Sequence, residues 1–299
     1  MKFLLLLGAV ASLNGCRFWY KPVKVANAIG EEKTVLSGDT VRVHREARFE
    51  VYGPTPEAVY DGYEQMNRAY RAFERYFGSP APRIAAVLSV DSMVPFDVAT
   101  LRGFRDRGFT VMRYVRPRGF RQPQRYGTIA YGGVLWPLAP TAARTMLALF
   151  AQSQLQLDGY RSDTTALEKY PAWFRAAMIH LIGEGGLPLQ DLEYLREKRG
   201  GMMPLRELLV FQRSPASDSL FDPSRRNDAD EASRLIGAES TAFARFLVEK
   251  EGPVVLGRFA RGYLSGRSLT DLLAELNNLP HELPELETRF KLWLDNRET

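Results

Sequence analysis

The sequence has few of the residues from which disulfides and metal centres are built. Its 299 residues include one cysteine and three histidines. A single cysteine excludes an internal disulfide and every multi-cysteine zinc or iron–sulfur site, and three histidines leave little for an imidazole-based metal site. We therefore expect no metal or other cofactor, and any chemistry has to come from carboxylates or hydroxyls.

The chain also lacks a strong charge imbalance. Its formal net charge of +5 is modest for its length and indicates at most a locally basic face. Hydrophobic residues make up 45% of the chain, aromatic residues 11% and charged residues 25%. This composition is that of a globular protein and excludes intrinsic disorder, collagen and coiled coils. A chain of this length forms about two domains or one large one.

The N-terminus has the pattern of an export signal. An apolar run from Phe3 to Leu13 follows Met1-Lys2, and it is shorter than the roughly 20 residues that cross a bilayer. It ends at Leu13-Asn14-Gly15-Cys16, which resembles the lipobox of bacterial lipoproteins. The resemblance implies a mature chain that begins at Cys16 and is anchored in the lipid bilayer by acyl chains, palmitate among them. The alternative is an ordinary signal peptide, with Cys16 as an incidental thiol.

The resemblance to the lipobox also implies where in the cell the protein is located. Arg17, rather than aspartate, follows the cysteine. In a Gram-negative cell this is typical of a lipoprotein sorted to the outer membrane and facing the periplasm. We therefore expect a lipid-anchored protein of the cell envelope.

The pattern of apolar residues and turns divides the chain into four segments. They are a lipoprotein signal peptide at 1–15, a tether at 16–40 with at most one short strand, an N-terminal α/β subdomain at 41–138 and a helical subdomain at 139–296. In the α/β subdomain we predict strands at 41–43, 49–52 and 84–90, and a helix from the N-cap Thr55 to Gly78. In the helical subdomain we predict helices from the N-cap Thr141 to 157, then at 172–183, 189–198, 205–212, 239–251, 254–264, 268–277 and 285–296.

Arginine is concentrated between residues 102 and 125, where it alternates with aromatic residues. One interpretation is a solvated hairpin whose arginines lie along the face of a sheet. The other is a binding strip for a polyanion, since the arginine fork fits phosphate and carboxylate groups. Export argues against nucleic acid and favours an anionic glycan or lipid. The arginines that would form this strip are Arg113, Arg116, Arg118 and Arg121.

Several separated pieces of the sequence share their order with a known family. They are Phe49-Glu50-Val51-Tyr52, a helix that ends Phe73-Glu74-Arg75-Tyr76-Phe77-Gly78, Tyr170-Pro171-Ala172-Trp173-Phe174, Pro204-Leu205-Arg206-Glu207-Leu208, the stretch from Ala242 to Pro253, Gly266-Arg267-Ser268, and Phe290-Lys291-Leu292-Trp293-Leu294. Over residues 41 to 296 this order resembles the bacterial peptidase MA-like domains, relatives of the gluzincin metallopeptidases. The resemblance implies a zincin-like α+β fold, in which a small mixed N-terminal sheet with helices precedes a mostly helical C-terminal half.

The resemblance also shows which catalytic residues are missing. The family carries H-E-x-x-H on one helix and a third ligand, a glutamate, in W-x-x-E-G on the next, so that two histidines and a glutamate hold zinc while the first glutamate activates water. This sequence has Leu149, Phe150, Ser153 and Ala176 at those positions. Residues 139–157 contain no histidine, glutamate, aspartate or cysteine. The loss therefore does not depend on a one-residue error in the alignment.

The remaining candidates lie close to these degenerate positions. We expect Trp173, Arg175, His180 and Glu184 to line the former cleft, where Arg175 would repel a cation. His180 and Glu184 could pair across one helical turn, but two ligands do not complete a zinc shell, so a packed or surface histidine is favoured. The loop carboxylates Asp158, Asp163 and Glu168 could bind calcium or take part in catalysis, although a solvated loop is favoured.

These observations predict an envelope-anchored lipoprotein whose peptidase MA-like domain is catalytically inactive and acts as a binding or scaffold module. Its partners would be the bilayer, through Cys16, and an envelope protein or an anionic glycan or lipid. Two alternatives remain open. One is an active hydrolase that uses a non-standard site such as His180 and Glu184, and the other is a polyanion-binding protein that uses the arginine-rich segment 102–125.

Overall fold

The structure of the protein is a computed structural model that describes residues 29–90, 96–116, 138–156, 164–183, 189–211 and 226–296. The signal peptide, Cys16 and the first part of the tether lie outside these residues. So do Arg118, Arg121, Asp158, Asp163 and Glu184, together with the side chain of Arg116. Among the described residues, no helix is both long and apolar enough to cross a membrane.

Within the described ranges, a mixed sheet of five strands forms the N-terminal half. Its strands lie in the spatial order β1-β2-β3-β4-β5, antiparallel between β1, β2 and β3 and parallel between β3, β4 and β5. Because the rest of the chain is mostly helical, the fold belongs to the α+β class. The strands are β1 (Glu32–Leu36), β2 (Asp39–Arg45), β3 (Phe49–Gly53), β4 (Ile84–Val90) and β5 (Thr110–Arg116).

The sheet extends further into the segment 16–40 than a tether with one short strand would allow, because this segment contains β1 and also the start of β2. The two strands are joined at Ser37 and Gly38, whose φ angles of 51° and 92° are both positive. Positive φ at both central residues is the geometry of the tight turn that suits the twist of a hairpin. This turn places β1 beside β2, and residues 32–40 are part of the sheet rather than a tether.

Two helices cover opposite faces of the sheet. The helix α1 (Pro56–Phe77) begins after the N-cap Thr55, whose hydroxyl accepts the Ala58 N–H, and ends at Gly78 with a φ of 62°. The helix α2 (Val98–Asp106) lies on the other face, where Phe104 packs among side chains of the sheet. The crossover from β3 to β4 through α1 and the crossover from β4 to β5 through α2 both move the chain one strand further in the same direction across the sheet. The first passes over one face of the sheet and the second passes over the opposite face. The two crossovers therefore have opposite hands, although such connections are right-handed in about 98% of cases.

The arginine-rich segment is not the predicted hairpin where the structure describes it. Residues 98–106 form α2, so Arg102 and Arg105 lie on a helix, and only Arg113 and Arg116 lie on a strand, β5. Asp97 caps α2 by accepting the Thr100 N–H at 2.6 Å. An acidic N-cap just before the segment is the local signal that favours a helix here.

The second half is a layer of helices packed on α1. The predicted helices are present, but two of them start earlier than predicted, and the helix predicted at 268–277 ends at Leu273. One short helix was not predicted, since it lies in the segment 158–168, where the sequence favours a solvated loop. The helices are α3 (Leu138–Gln154), the unpredicted α4 (Thr164–Leu167), α5 (Ala172–Gly183), α6 (Leu189–Glu197), α7 (Leu205–Val210), α8 (Arg226–Glu251), α9 (Val255–Leu264), α10 (Leu269–Leu273) and α11 (Leu283–Asp295).

The earlier starts of α3 and α8 have physical causes that lie outside these two helices. Thr141 is not the N-cap of α3, because the side chain of Gln65 in α1 accepts the N–H groups of Leu138 and Ala139 at 2.9 and 3.1 Å. The helix α8 starts at Arg226, well before residue 239, in a stretch that charge pairs hold against α6. In this stretch Glu231 pairs with Lys198 at 2.7 Å and Arg234 stacks over Tyr194 at 4.2 Å. Pairs of this kind leave no apolar period in the sequence.

One hydrophobic core joins the two halves. Val51 and Ile84 of the sheet, Phe73 of α1, Trp173 of α5 and Leu247 of α8 belong to the same cluster of buried side chains. A smaller cluster under α2 includes Tyr52, Phe104 and Phe109. The predicted subdomains 41–138 and 139–296 therefore share a core in the part of the chain that the structure describes.

Candidate functional site

The two helices of the predicted site, α3 and α5, are in close contact. A Cβ atom added at Gly183, at the end of α5, would lie 2.9 Å from the backbone of Pro140 near the start of α3. Real Cβ contacts are longer than this, so only glycine allows the backbones to approach as they do. The helices are thus packed directly against one another at this end.

The four residues predicted to replace the family's zinc ligands and catalytic glutamate do not share one environment. Phe150, predicted to stand at the position of the family's catalytic glutamate, is buried, and its ring centroid lies 4.8 Å from that of Phe77. Leu149 and Ala176 are half-buried, and Ser153 is exposed. None of these four side chains is an imidazole or a carboxylate, the groups that bind zinc.

The residues predicted to line the cleft separate in the structure. Trp173 is completely buried and packs on Phe174 and Phe243, with ring centroids 5.5 Å away in both cases. It is a core residue and not the wall of an open cleft. Arg175 and His180 are half-buried. Among the described residues, no group of three His, Cys, Asp or Glu side chains could hold a metal ion.

The core around Trp173 contains several buried polar atoms. The Ser240 Oγ and the Tyr170 hydroxyl have no hydrogen-bond partner within the described ranges, and the Trp173 Nε1 and the Tyr263 hydroxyl lie beside each other in the same core. Burial raises the pKa of both tyrosines far above the usual value, so the phenols stay protonated. These groups lie in the packed interior and offer no route to a substrate.

The arginines that the structure describes stack on phenylalanine rings along the α2 side of the sheet. The guanidinium of Arg113 lies 4.3 Å from the ring centroid of Phe96, and that of Arg83 lies 4.1 Å from the ring of Phe109. Arg113 is exposed. Stacking on an aromatic face restricts the motion of the guanidinium.

A polar cavity lies on this same face, between β1, β3 and α2. Its volume is about 340 Å³, and its lining includes Arg45, Glu50, Tyr52, Phe104 and Arg107. Strand alternation explains the arrangement, because Glu50 and Tyr52 are two residues apart on β3 and face α2, while Val51 between them faces α1. Arg45 pairs with Glu50 across the β2–β3 ladder.

The carboxylate of Glu50 is the centre of this cavity. Its side chain is only 5% exposed. The Oε2 atom accepts hydrogen bonds from the Tyr52 hydroxyl at 2.6 Å and from Arg107 Nη2 at 2.8 Å. The Oε1 atom lies 3.9 Å from Arg45 Nε, which is beyond hydrogen-bond distance. Burial, followed by the hydrogen bond to Glu50, raises the pKa of Tyr52 far above its usual value, so its hydroxyl remains a donor.

The surroundings of Arg107 hold its guanidinium in place. It lies 5.1 Å from the ring centroid of Phe104, and its Nη1 donates to the Gly103 carbonyl at 3.2 Å. Arg45 is held from the opposite side, where its Nη1 donates to Glu32. The cavity therefore contains one buried carboxylate between two partly exposed arginines whose positions are fixed.

Sequence reasoning missed this constellation, although a signal for it was present. The residues Phe49-Glu50-Val51-Tyr52 predict a strand and belong to the family resemblance, but neither observation assigns Glu50 a role. A glutamate in a strand whose other residues are apolar has to be paired if both faces of the sheet are covered. Only the position of α2 shows that both faces are covered, and α2 was not predicted.

A second buried carboxylate lies at the junction of α7, α8 and α11. Glu239 is 1% exposed, and its Oε2 accepts the Met203 N–H at 3.1 Å. Glu287 accepts the neighbouring Leu205 N–H at 3.2 Å. Burial raises the pKa of Glu239 to about 7, and the nearby Glu287 acts in the same direction. These two glutamates hold the turn before α7 and have a structural role.

The chain matches no protein-family model, no curated protein and no solved structure. Its function therefore has to be argued from its own residues.

Proposed function

We propose that the chain is a non-catalytic binding or scaffold module of the bacterial cell envelope, built on a peptidase MA-like, zincin-like domain and anchored through an acylated Cys16. The observation that carries the proposal is the occupation of the former ligand positions by Leu149, Phe150, Ser153 and Ala176. The α+β fold agrees with this ancestry at the level of class, and the finer assignment rests on the ordered pieces of sequence.

The packing around α3 supports the loss of hydrolysis. Activation of water by a metal requires a carboxylate beside the ion and an open coordination position. Phe150 instead fills the space against Phe77 of α1, and Arg175 brings positive charge to α5. A peptidase centre at this place would need four substitutions and a repacked core.

The enzymatic part of the proposal is tested with the purified mature protein. We expect no stoichiometric zinc by elemental analysis and no cleavage of casein, with or without added zinc. Chelator-sensitive cleavage would overturn the proposal, and cleavage that is lost in His180→Ala would favour the non-standard hydrolase.

The zincin-like ancestry has a separate test. In a zincin-like arrangement, the triple variant Leu149→His/Ser153→His/Ala176→Glu brings three ligands together, so we expect it to bind about one zinc ion per chain. The matched control Leu149→His/Ser153→His/Arg175→Glu moves the carboxylate by one residue, about 100° around the helix, and should bind zinc much more weakly. Equal zinc binding by the two variants would contradict the assignment.

The anchor is tested by metabolic labelling in a bacterial host. We expect the full-length chain to incorporate palmitate and to sediment with membranes, and Cys16→Ser to abolish both. Labelling that survives this substitution would remove the lipoprotein assignment and leave an ordinary exported protein.

A second candidate function is polyanion binding by the arginine-rich segment. It is favoured by the exposed guanidinium of Arg113, which is stacked on Phe96. We expect retention on heparin that falls as salt rises and is lost in the triple variant Arg113→Ala/Arg116→Ala/Arg118→Ala, because each phosphate or sulfate contact contributes to the salt dependence. Retention by the triple variant would exclude this function.

A further inference from the structure

The cavity on the α2 face of the sheet has the size and accessibility of a ligand site. Its volume of about 340 Å³ lies at the lower end of the range of about 300–1,000 Å³ found for small-molecule sites. The side chains of Arg45 and Arg107 are 39% and 49% exposed, so the cavity can be reached from solvent. It lies on the face of the sheet opposite α3 and α5, so an inference from it does not depend on the zincin-like ancestry or on Cys16.

The buried charge at the bottom of the cavity has unused hydrogen-bonding capacity. Among the described residues, two donors lie within 2.8 Å of Glu50 Oε2, whereas the nearest cation to Oε1 is Arg45 Nε, which at 3.9 Å is beyond hydrogen-bond distance. A buried carboxylate oxygen is stabilised by a donor that reaches it. A ligand can supply that donor as an ammonium or a hydroxyl group.

The two arginines provide the complementary half of the site. Arg107 uses part of its fork on Glu50 and the Gly103 carbonyl, and Arg45 uses part of its fork on Glu32. Each guanidinium has five N–H donors, so both keep donors for an incoming anion. A carboxylate matches the planar fork of arginine, and the stacking of Arg107 on Phe104 reduces the entropy lost on binding.

The apolar residues that line the cavity indicate which side chain its ligand has. The ring of Phe104 meets that of Tyr52 edge to face at 5.4 Å, and Leu36 and Val35 line the cavity beside them. This surface suits a short hydrocarbon chain. An anion, a donor next to it and a short apolar chain therefore have complementary groups in one cavity.

We propose that this cavity binds a small carboxylate that bears a hydrogen-bond donor on the adjacent carbon, that is, an amino acid or a hydroxy acid with an apolar side chain. Arg45 and Arg107 bind the carboxylate, and Glu50 Oε1 accepts the hydrogen bond from the ammonium or hydroxyl group. Tyr52 is a positioning residue, since its hydroxyl holds Glu50 Oε2.

The test uses three probes with one carbon skeleton and the full mature chain in isothermal titration calorimetry. The probes are leucine, 2-hydroxy-4-methylpentanoate and 4-methylpentanoate, which carry an ammonium group, a hydroxyl group and no donor at the α carbon. We expect at least one of the first two to bind with a dissociation constant of about 1 mM or lower. The donor-free acid should bind about tenfold or more weakly, because it leaves Oε1 without a partner.

Substitutions assign the binding to the cavity. Arg107→Gln should weaken the bound probe about tenfold or more, whereas Arg83→Gln should not change its affinity. Arg83 is the matched control, since it also stacks on Phe109 but does not line the cavity. Arg107→Lys retains the charge beside Glu50 but loses the fork, so it should also weaken binding. It replaces Arg107→Gln as the test if that variant does not fold.

The variant Glu50→Gln distinguishes the two donor classes. It keeps an acceptor for a hydroxyl but removes the negative charge, so leucine should lose more affinity than the hydroxy acid. The proposal is overturned if none of the probes binds, if the donor-free acid binds as tightly as the others, or if neither Arg107 variant weakens binding. Because the zinc and palmitate experiments do not involve this cavity, its failure would leave their outcome unchanged.

Discussion

At the scale of single residues, the hydroxyl of Tyr70 ties three segments together. It donates to the Pro82 carbonyl at 2.6 Å, lies 3.0 Å from the Arg48 carbonyl and accepts the Ile84 N–H at 3.0 Å. Burial raises the pKa of Tyr70 far above the usual value, which keeps the phenol protonated. One side chain on α1 thus fixes the loop before β3 and the start of β4.

We expect Tyr70→Phe to lower the free energy of unfolding by about 1–3 kcal/mol, because it leaves the buried Ile84 N–H without an acceptor. The measurement is urea denaturation followed by circular dichroism. The matched control is Tyr76→Phe on the same helix, where we expect a change within about 0.5 kcal/mol. Equal effects of the two substitutions would show that the hydroxyl of Tyr70 is not a special anchor.

Glu239 makes stability depend on pH in an unusual direction. Its pKa is raised from 4.5 to about 7 by burial in the folded state. The folded state therefore holds its proton more tightly than the unfolded state. Stability from this group is fully present below pH 4.5 and is lost as the pH rises to about 7.

We expect Glu239→Gln to gain stability relative to the natural chain as the pH rises from 5 to 8, by up to about 3 kcal/mol, since an amide still accepts the Met203 N–H but does not ionise. Thermal melts over this pH range measure the difference. Glu251→Gln on the same helix, which removes a partly exposed carboxylate, is the control. A constant difference between Glu239→Gln and the natural chain across the range would contradict the assignment.

At the scale of elements, close contacts between helices depend on glycine. A Cβ atom added at Gly257 of α9 would lie 2.7 Å from the carbonyl oxygen of Phe77, at the end of α1. The obstacle is backbone, which cannot turn aside as a side chain can. A Cβ atom added at Gly200 would have none of the surrounding described atoms within 4 Å.

We therefore expect Gly257→Ala to destabilise the protein by about 1–3 kcal/mol, by forcing α9 away from α1. The matched control Gly200→Ala adds the same methyl group in open space and should be neutral or slightly stabilising. Chemical denaturation of both variants provides the comparison. A neutral Gly257→Ala would mean that the two helices can separate without cost.

Elements with local signals were predicted, and those that depend on distant partners were not. The N-cap Thr55 and the terminating Gly78 allow the bounds of α1 to be predicted from the sequence, and Pro171 allows the start of α5 to be predicted. The start of α3 depends on Gln65, which is far away in the sequence, so no pattern near Thr141 could reveal it. The opposite hands of the two crossovers are likewise set by packing on both faces of the sheet.

At the scale of the whole molecule, the sheet and the helices share one core. The cluster that contains Ile84 of β4 also contains Leu147 of α3 and Phe243 of α8. Domains that unfold independently have separate cores. The predicted boundary near residue 138 therefore does not separate two independent units within the described residues.

We expect a single cooperative unfolding transition, in which Ile84→Ala and Leu147→Ala each remove about 2–5 kcal/mol and shift the same midpoint. Tryptophan fluorescence and far-ultraviolet circular dichroism should follow coincident curves in both variants. Two separated transitions, each sensitive to only one substitution, would show that the halves are independent.

The candidate sites differ in how far the sequence could predict them. The residues predicted to replace the zinc ligands follow from the resemblance of short sequence pieces, which stays a prediction. The burial of Phe150 and Trp173 depends on packing against α1 and α8, so it could be found only from the structure. The cavity at Glu50 combines residues of β2, β3 and α2 that are distant in the chain. No spacing rule links Arg45, Glu50 and Arg107, since they meet only when the sheet is assembled.

The alternation of side chains on β3 also locks its position. All five residues of the strand are buried, with Val51 against α1 and Glu50 and Tyr52 in the cavity. A slip of one residue would put the carboxylate among phenyl rings and a valine between two guanidinium groups. A misaligned strand would thus bury an unpaired carboxylate on one face and leave the two arginines without their carboxylate on the other. Both effects raise the free energy of the wrong register, so the charged cavity favours correct assembly of the sheet.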